Sequence, residues 1–155
     1  MALNEQIAGM DKLIGGRSRE HELADIVLSV SGIGTTLGAE FPAAVGGSLD
    51  ESDSPDALAA FAGVAPAPPD SGKICGNLHR PLAYHRRLQR VFYTSALISV
   101  RYDPNSRQFY DCERAEGKKH VQAVLALARR RVNVIWTLIR DRRCYEVTPP
   151  VTMGA

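Results

Sequence analysis

Apolar residues recur at three- and four-residue spacing along most of this chain, which is the pattern of amphipathic helices. No strand-like alternation of useful length occurs, so the predicted fold class is all-α. We expect a helix-hairpin-helix followed by a small helical bundle, with a long loop rich in proline and glycine between them. The predicted helices cover residues 1–15, 20–30, 37–41, 81–100, 103–116 and 118–140, and a further short helix opens at Ser54-Pro55.

Residues 1–15 carry an apolar stripe at helical spacing. Its members are Leu3, Ile7, Met10, Leu13 and Ile14. We expect this helix to end at Gly15-Gly16, since glycine is a poor helix former. We interpret residues 1–19 as the remnant of a linking helix or coiled coil, residues 20–145 as the main domain and residues 146–155 as a frayed tail.

Two short predicted helices flank the run Ser31-Gly32-Ile33-Gly34-Thr35. A helix, a Gly-apolar-Gly turn and a second helix is the sequence form of a helix-hairpin-helix. In such a motif the glycines, here Gly32 and Gly34, let backbone N–H groups approach a phosphate. The alternative is a plain helix–turn–helix corner in which glycine ends the first helix.

Residues 61–77 form a loop with Pro66, Pro68 and Pro69, and Ser71 stands between Asp70 and Gly72. A long irregular segment between helices is either disordered or held in one shape for a purpose. We interpret it as the place where a nucleic-acid backbone meets the Ser71 hydroxyl. The alternative is that Ser71 is an ordinary turn residue, the commoner role of a Ser-Gly pair.

Charge is divided unevenly between the two halves. Residues 1–70 carry three bases against eleven acids, whereas residues 71–155 carry sixteen bases against six acids, which leaves +2 for the 155 residues. This asymmetry indicates a polyanionic partner for the second half. Nucleic acid is favoured over a membrane surface because no lipid-facing amphipathic helix accompanies the charge.

The basic residues fall into two sets that we expect to contact DNA phosphates, which gives affinity and register but no sequence reading. The first set flanks the serine and comprises Lys73, Arg80, Arg86, Arg87 and Arg90. The second lies on the last two helices and comprises Lys118, Lys119, Arg129, Arg130 and Arg131. A solvated surface is the alternative, more so for the second set. Arginines at a helix start oppose the helix dipole, so an external anion explains the first set better.

Other chemistry is weakly supported. Cys75, His79 and His85 match no familiar zinc module, and three widely spaced cysteines fit a reducing, cytoplasmic location better than a disulfide framework. No apolar run spans a bilayer, and residues 1–13 lack the design of a signal peptide. Lys73, His79, Arg80 and His85 are nearby candidates for assisting Ser71, although no spacing dictates contact.

Several segments together resemble the insertion-sequence transposases that combine a DEDD domain of ribonuclease-H type with a serine-bearing transposase domain. The matching segments are SVSGIGTTLGAE (29–40), DALAAFAGVAPAPPDSGK (56–73), Gly76-Asn77, HRRLQRVFYTSAL (85–97) and RQFYDCERAEGKKHVQAVLALARRRVNVIW (107–136). Each is weak alone, but the combination is specific and covers nearly everything from residue 20 onward.

The resemblance implies DNA transposition in which Ser71 attacks a DNA phosphate and forms a covalent serine–DNA link. It also implies DNA and a structured bridge RNA as partners, and a homo-oligomer. The DEDD acids and their divalent metal, expected to be Mg²⁺, belong to a domain that these 155 residues do not contain. We therefore expect a truncated or frame-interrupted copy, or an isolated carboxy-terminal piece. We expect it to be inactive in recombination unless a partner supplies the metal-assisted half of the active site. Two rival hypotheses are a non-catalytic helix-hairpin-helix DNA-binding module and a helical assembly protein with an incidental basic surface.

Overall fold

A computed structural model describes residues 2–19, 23–47, 49, 52–65 and 83–148. Within these ranges the chain forms seven helices and no strand, which confirms the predicted all-α class. None of the described helices is long and apolar enough to cross a lipid bilayer. The helices are α1 (Ala2–Arg19), α2 (Ala24–Ser29), α3 (Thr35–Ala44), α4 (Pro55–Phe61), α5 (Arg86–Tyr102), α6 (Pro104–Ala115) and α7 (His120–Arg140).

Helix α5 is the element around which the main body packs. It contacts α3, α6 and α7, and α7 in turn contacts α2, α4 and α6. The fully buried ring of Phe92 on α5 meets the ring of Phe41 on α3 edge-on, with 5.9 Å between the centroids. Burial of such aromatic and aliphatic side chains is the main driving force for packing these helices together. Other fully buried core residues are Val27, Leu58, Leu88, Val91, Val124, Val132 and Ile135.

Two predicted helix starts consist of a polar residue followed by proline, Ser54-Pro55 and Asp103-Pro104. The Ser54 hydroxyl accepts a hydrogen bond from the Ala57 backbone N–H at 3.1 Å, and Asp103 accepts one from the Ser106 N–H at 3.0 Å. Proline follows each cap because its fixed φ suits the first helical position, where an N–H would lack a partner. These caps confirm the predicted starts of α4 and α6.

Other boundaries differ from the sequence prediction. Helix α5 begins at Arg86 and not at Pro81, because the ring of His85 acts as its N-cap and residues 83–85 are not helical. The apolar side chains of Leu97 and Ile98 are 39% and 36% exposed. They lie at the edge of the apolar stripe of α5, where periodicity does not separate buried from half-exposed positions.

Helix α1 continues through Gly15-Gly16 to Arg19, so the prediction that it ends at these glycines was wrong. Glycine within a helix costs about 1 kcal/mol relative to alanine but does not forbid helical backbone. All described side chains of α1, residues 3–14, are exposed, although the helix contacts α2 and α3. Its interpretation as a linking element stays a prediction.

Candidate nucleic-acid interface

The turn between α2 and α3 lies directly against α5. Gly32 has a φ of +87°, and a Cβ atom added there would lie 2.3 Å from the Ser95 carbonyl oxygen. A side chain at this position would therefore collide with the backbone of α5. This contact gives Gly32 a packing role that the sequence pattern did not reveal, and its predicted approach to a phosphate stays a prediction.

Gly34 has different surroundings, although it belongs to the same predicted motif. It is the exposed N-cap residue of α3, its backbone is extended, and no heavy atom lies within 4 Å of the position of a Cβ. No side chain caps α3. Because Gly34 is exposed and no side chain caps α3, a phosphate at this end would be favoured by hydrogen bonds from the first backbone N–H groups and by the helix dipole.

The first basic set is concentrated at the amino end of α5. Arg86 and Arg87 occupy its first turn, are exposed, and have no ion-pair partner within the described ranges. No acidic residue stands in that turn. Arg90, one turn later, forms an ion pair with Glu40 of α3 at 3.3 Å while its side chain remains 63% exposed. Ser71, Lys73 and Arg80 lie outside the described residues.

Within the second set, four of the five members take part in contacts inside the fold, and Lys118 and Arg129 do so through acidic partners. The Lys118 ammonium bonds to Glu113 and to Glu116, and these bonds raise the pKa of Lys118. Arg129 bonds to Asp56 of α4 and to Asn133. Lys119, by contrast, is exposed and has no ion-pair partner among the described residues.

Arg130 and Arg131 follow Arg129 but point to different surroundings. The Arg130 guanidinium lies over the Phe109 ring, 4.9 Å from its centroid, in a cation–π arrangement. Arg131 is only 5% exposed, and its guanidinium bonds to the Ser95 hydroxyl at 3.1 Å and to the Ser31 carbonyl. Burial lowers the pKa of Arg131 to about 10, against the opposite effect of Asp103. Arg131 is therefore an interior residue.

His85 was a candidate for assisting Ser71, and its ring is engaged in the fold. Its Nδ1 atom accepts a hydrogen bond from the Leu88 N–H at 3.2 Å, which caps α5. The ring also lies against the Phe61 ring, with 5.1 Å between centroids. His79 and Cys75 lie outside the described residues. His120 is exposed and hydrogen-bonds to the Tyr110 hydroxyl at 2.8 Å.

The open end of α3 and the arginines of α5 are well separated. Gly32 contacts α5 at Ser95 and Ser99, whereas Glu40 contacts it at Arg90, so α3 runs antiparallel to α5. From Ser99 to Arg87 there are twelve residues, about 18 Å of helix. A nucleic acid bound at both candidate anion contacts would therefore place a different phosphate at each.

A family model for the IS116/IS110/IS902 transposases matches residues 24–111, from the start of α2 into α6. The chain belongs to this transposase family. The match includes the α2–α3 turn, the serine segment and the amino end of α5, which are the parts that carry the candidate contacts.

Proteins of three insertion elements are similar to this transposase-family chain. It is 54% identical over 155 residues to an uncharacterized 42 kDa protein of IS900 from Mycobacterium paratuberculosis, and 46% identical over 157 residues to a 44.8 kDa protein of IS116 from Streptomyces clavuligerus. A 43.6 kDa protein of IS110 from Streptomyces coelicolor is 36% identical over 151 residues. The comparison covers 96–100% of this chain but only 36–39% of each relative.

Proposed function

We propose that this chain is the DNA-binding, serine-bearing domain of an insertion-element transposase and that it acts in DNA transposition. The observation that carries the proposal is the placement of Arg86 and Arg87. Both are exposed and without an ion-pair partner in the described ranges, at the positive end of the α5 dipole, within five residues after segment 66–82. A DNA phosphate held there would lie beside the residues that directly follow the serine-bearing segment in the sequence.

The proposed reaction is a transfer of a DNA phosphodiester to Ser71. The Ser71 oxygen attacks phosphorus, the bond from phosphorus to one flanking sugar oxygen breaks, and that oxygen leaves as a hydroxyl after receiving a proton. The serine proton is lost in the same exchange, so the number of phosphodiester links is conserved. Arg86 and Arg87 support the reaction by holding the phosphate and offsetting its negative charge.

We also propose that a second domain, of the DEDD type, takes part in the reaction and holds a divalent metal, expected to be Mg²⁺. The described part of this chain has no group of three or more His, Cys, Asp or Glu side chains placed to hold a metal ion. The described residues therefore do not fit such a site. We also propose a structured bridge RNA and a second copy of the transposase as partners, and no recombination by these 155 residues alone.

The decisive experiment tests for a covalent protein–DNA adduct. We expect the chain, mixed with nicked or junction DNA and a DEDD domain supplied in trans, to give an adduct that survives denaturing electrophoresis. Mass spectrometry would place the DNA on Ser71, and Ser71→Ala would abolish the adduct because the attacking oxygen is removed. Ser52→Ala, which removes a hydroxyl from another loop, serves as the matched control and keeps the adduct.

An adduct that persists in Ser71→Ala would contradict the serine mechanism. DNA binding without any adduct in the unmodified chain would favour the second candidate, a non-catalytic DNA-binding module. The exposed, uncapped amino end of α3 at Gly34 is the observation that favours this candidate. Such a module would bind phosphates through α3 and α5 and leave the chemistry to another protein.

A further inference from the structure

Glu40 of α3 carries a carboxylate that is largely shielded from solvent. Its side chain is 24% exposed, and its Oε1 atom lies 3.3 Å from Nη1 of Arg90 on α5. The second oxygen, Oε2, is buried and has no hydrogen-bond partner among the described residues. Within the described ranges, Arg90 is therefore the one cation paired with this carboxylate.

Separation of Arg90 from Glu40 would leave the carboxylate without compensation. A carboxylate that has lost much of its hydration is costly to leave unpaired, and Oε2 would remain unbonded. If Arg90 moved to a DNA phosphate, the Glu40 charge would also stand near that phosphate as a like charge, which is unfavourable. Glu40 therefore retains Arg90 more firmly than a fully hydrated carboxylate would.

The ion pair of Arg107 and Asp111 on α6 provides the contrast. It joins Nε to Oδ2 at 3.0 Å, and its side chains are 58% and 55% exposed. Both groups stay hydrated when they separate, so such a pair is easily broken. Helix α6 begins just after the carboxyl end of α5, so this pair belongs to the region remote from the amino end of α5.

Arg90 stands next to the two unpaired arginines of α5. It follows Arg87 by three residues and Arg86 by four, which places the Cβ atoms about 5–6 Å apart on one side of the helix. Arg90 is 63% exposed, so exposure alone would make it a third phosphate contact. Its charge is already neutralised by Glu40, however, and a neutralised arginine releases no counterions from DNA.

We infer that Glu40 limits the DNA affinity of this surface by withholding Arg90 from phosphates, an inference that rests on the DNA binding proposed above. Helix α5 then offers Arg86 and Arg87 to DNA and keeps a third arginine in reserve. Phosphate contacts supply the sequence-independent part of DNA binding. Glu40 is therefore a specificity-determining residue, because it lowers the affinity that is common to all sequences.

The test is a salt titration of the binding of a short labelled DNA duplex. Glu40→Gln keeps the shape of the side chain and removes its charge, so Arg90 becomes available to a phosphate. We expect log affinity to fall more steeply with log salt, by about 0.9 in slope, the value for one added contact. The affinity of Glu40→Gln relative to the unmodified chain should therefore be greatest at low salt and fall about 3.5-fold between about 50 and 200 mM salt.

Two further variants separate release of Arg90 from a general change of charge. Asp111→Asn also removes one carboxylate from an arginine pair, but on α6, and should leave the salt dependence unchanged. Adding Arg90→Ala to Glu40→Gln should return the slope to within about 0.3 of the unmodified chain. An equal gain in Asp111→Asn, or a gain by Glu40→Gln that persists without Arg90, would overturn the inference.

The proposed function and this inference fail in different ways. If the unmodified chain shows no salt-dependent DNA binding, the proposed function fails and the inference falls with it. If the chain binds DNA but Glu40→Gln leaves the slope unchanged or lowers the affinity, only the inference fails. The assay needs no covalent adduct, so failure of the Ser71 mechanism does not affect it.

Should Glu40→Gln not fold, Arg90→Ala alone decides, because it truncates a side chain that is 63% exposed. We expect this variant to change the slope by less than about 0.3, whereas Arg86→Ala changes it by about 0.9. A full loss of about 0.9 in Arg90→Ala would show that Arg90 contacts phosphate in the unmodified chain, and would overturn the inference.

Discussion

Arg131 is a buried cation held by neutral groups. Its guanidinium bonds to the Ser95 hydroxyl and the Ser31 carbonyl, and no carboxylate lies within ion-pairing distance in the described structure. A charge in such a site loses hydration, which is the main cause of its lowered pKa. It links α7 to α5 and to the turn before α3, so its role is to hold helices together.

Replacement of Arg131 by methionine tests this role. We expect Arg131→Met to lower the free energy of unfolding by about 1–3 kcal/mol, because the Ser31 carbonyl loses its partner inside the protein. Arg130→Met is the neighbouring control, since that exposed side chain only covers the Phe109 ring and its loss should cost less than about 1 kcal/mol. Denaturant titration measures both, and equal midpoints for the two variants would contradict the assignment.

At the scale of the element, α5 combines a core face with an exposed, positive amino end. Its buried positions include Leu88, Phe92 and Ser99, while Arg86 and Arg87 extend from the first turn. Cations there are unfavourable for the helix itself, and no acid in that turn offsets them. A bound phosphate would reverse this cost by accepting hydrogen bonds from the two guanidinium groups at the positive end of the helix dipole.

Salt titration measures whether these arginines contact phosphates. We expect Arg86→Ala and Arg87→Ala each to reduce the slope of log affinity against log salt by about 0.9, the value for one phosphate contact on duplex DNA. Arg107→Ala is the control, because this exposed arginine is paired with Asp111 at 3.0 Å on α6. It removes the same charge and should leave the slope unchanged. Equal slopes for all three variants would mean that general charge governs binding.

Helix positions were predictable where the signal is local. Ser54-Pro55 and Asp103-Pro104 each specify a cap and a first turn within a few residues, and both predictions were confirmed. The start of α5 was not predictable, because its cap is a histidine whose acceptor nitrogen is not a standard capping group. The continuation of α1 past Gly15-Gly16 was also missed, since glycine lowers helix stability without preventing it.

At the scale of the whole molecule, the sequence predicted which residues are basic but not which are available. Arg129, Arg130 and Arg131 are adjacent, yet successive helical residues point about 100° apart. One pairs with α4, one covers an aromatic ring and one is buried. Such partners come from other helices, so only tertiary structure separates this set from the exposed arginines of α5.

The contact between Phe61 and His85 was not predictable from the sequence, for the same reason. Phe61 and His85 are 24 positions apart in sequence, and nothing local indicates that their rings meet. The available signal was Gly63, two residues after the end of α4. A glycine there predicts a C-terminal turn but not the close approach of Tyr84. The serine segment itself was selected by composition and by resemblance, and its role stays a proposal.

Substitutions at the two glycines of the α2–α3 turn separate a role in packing from a role in phosphate binding. We expect Gly32→Ala to destabilise the fold by at least about 2 kcal/mol, since the residue needs a positive φ and its Cβ would collide with α5. Gly34→Ala should cost less than about 1 kcal/mol, because its Cβ meets open space and only the cap preference is lost.

DNA affinity should respond in the opposite order once each variant is measured under conditions where it is folded. Gly34 is the N-cap residue of α3, so an added methyl group would lie next to the first backbone N–H groups of that helix, and Gly34→Ala should weaken DNA binding several-fold. Folded Gly32→Ala should bind DNA nearly as well as the unmodified chain. Thermal unfolding and DNA titration of both variants measure the two effects separately. Unchanged DNA binding in Gly34→Ala would mean that the α2–α3 turn has only a packing role. Undiminished stability of Gly32→Ala would contradict the close contact of Gly32 with Ser95. Because Gly32 lies in the turn between α2 and α3, the binding result tests a phosphate contact of α3, whereas the stability result tests the packing of that turn on α5.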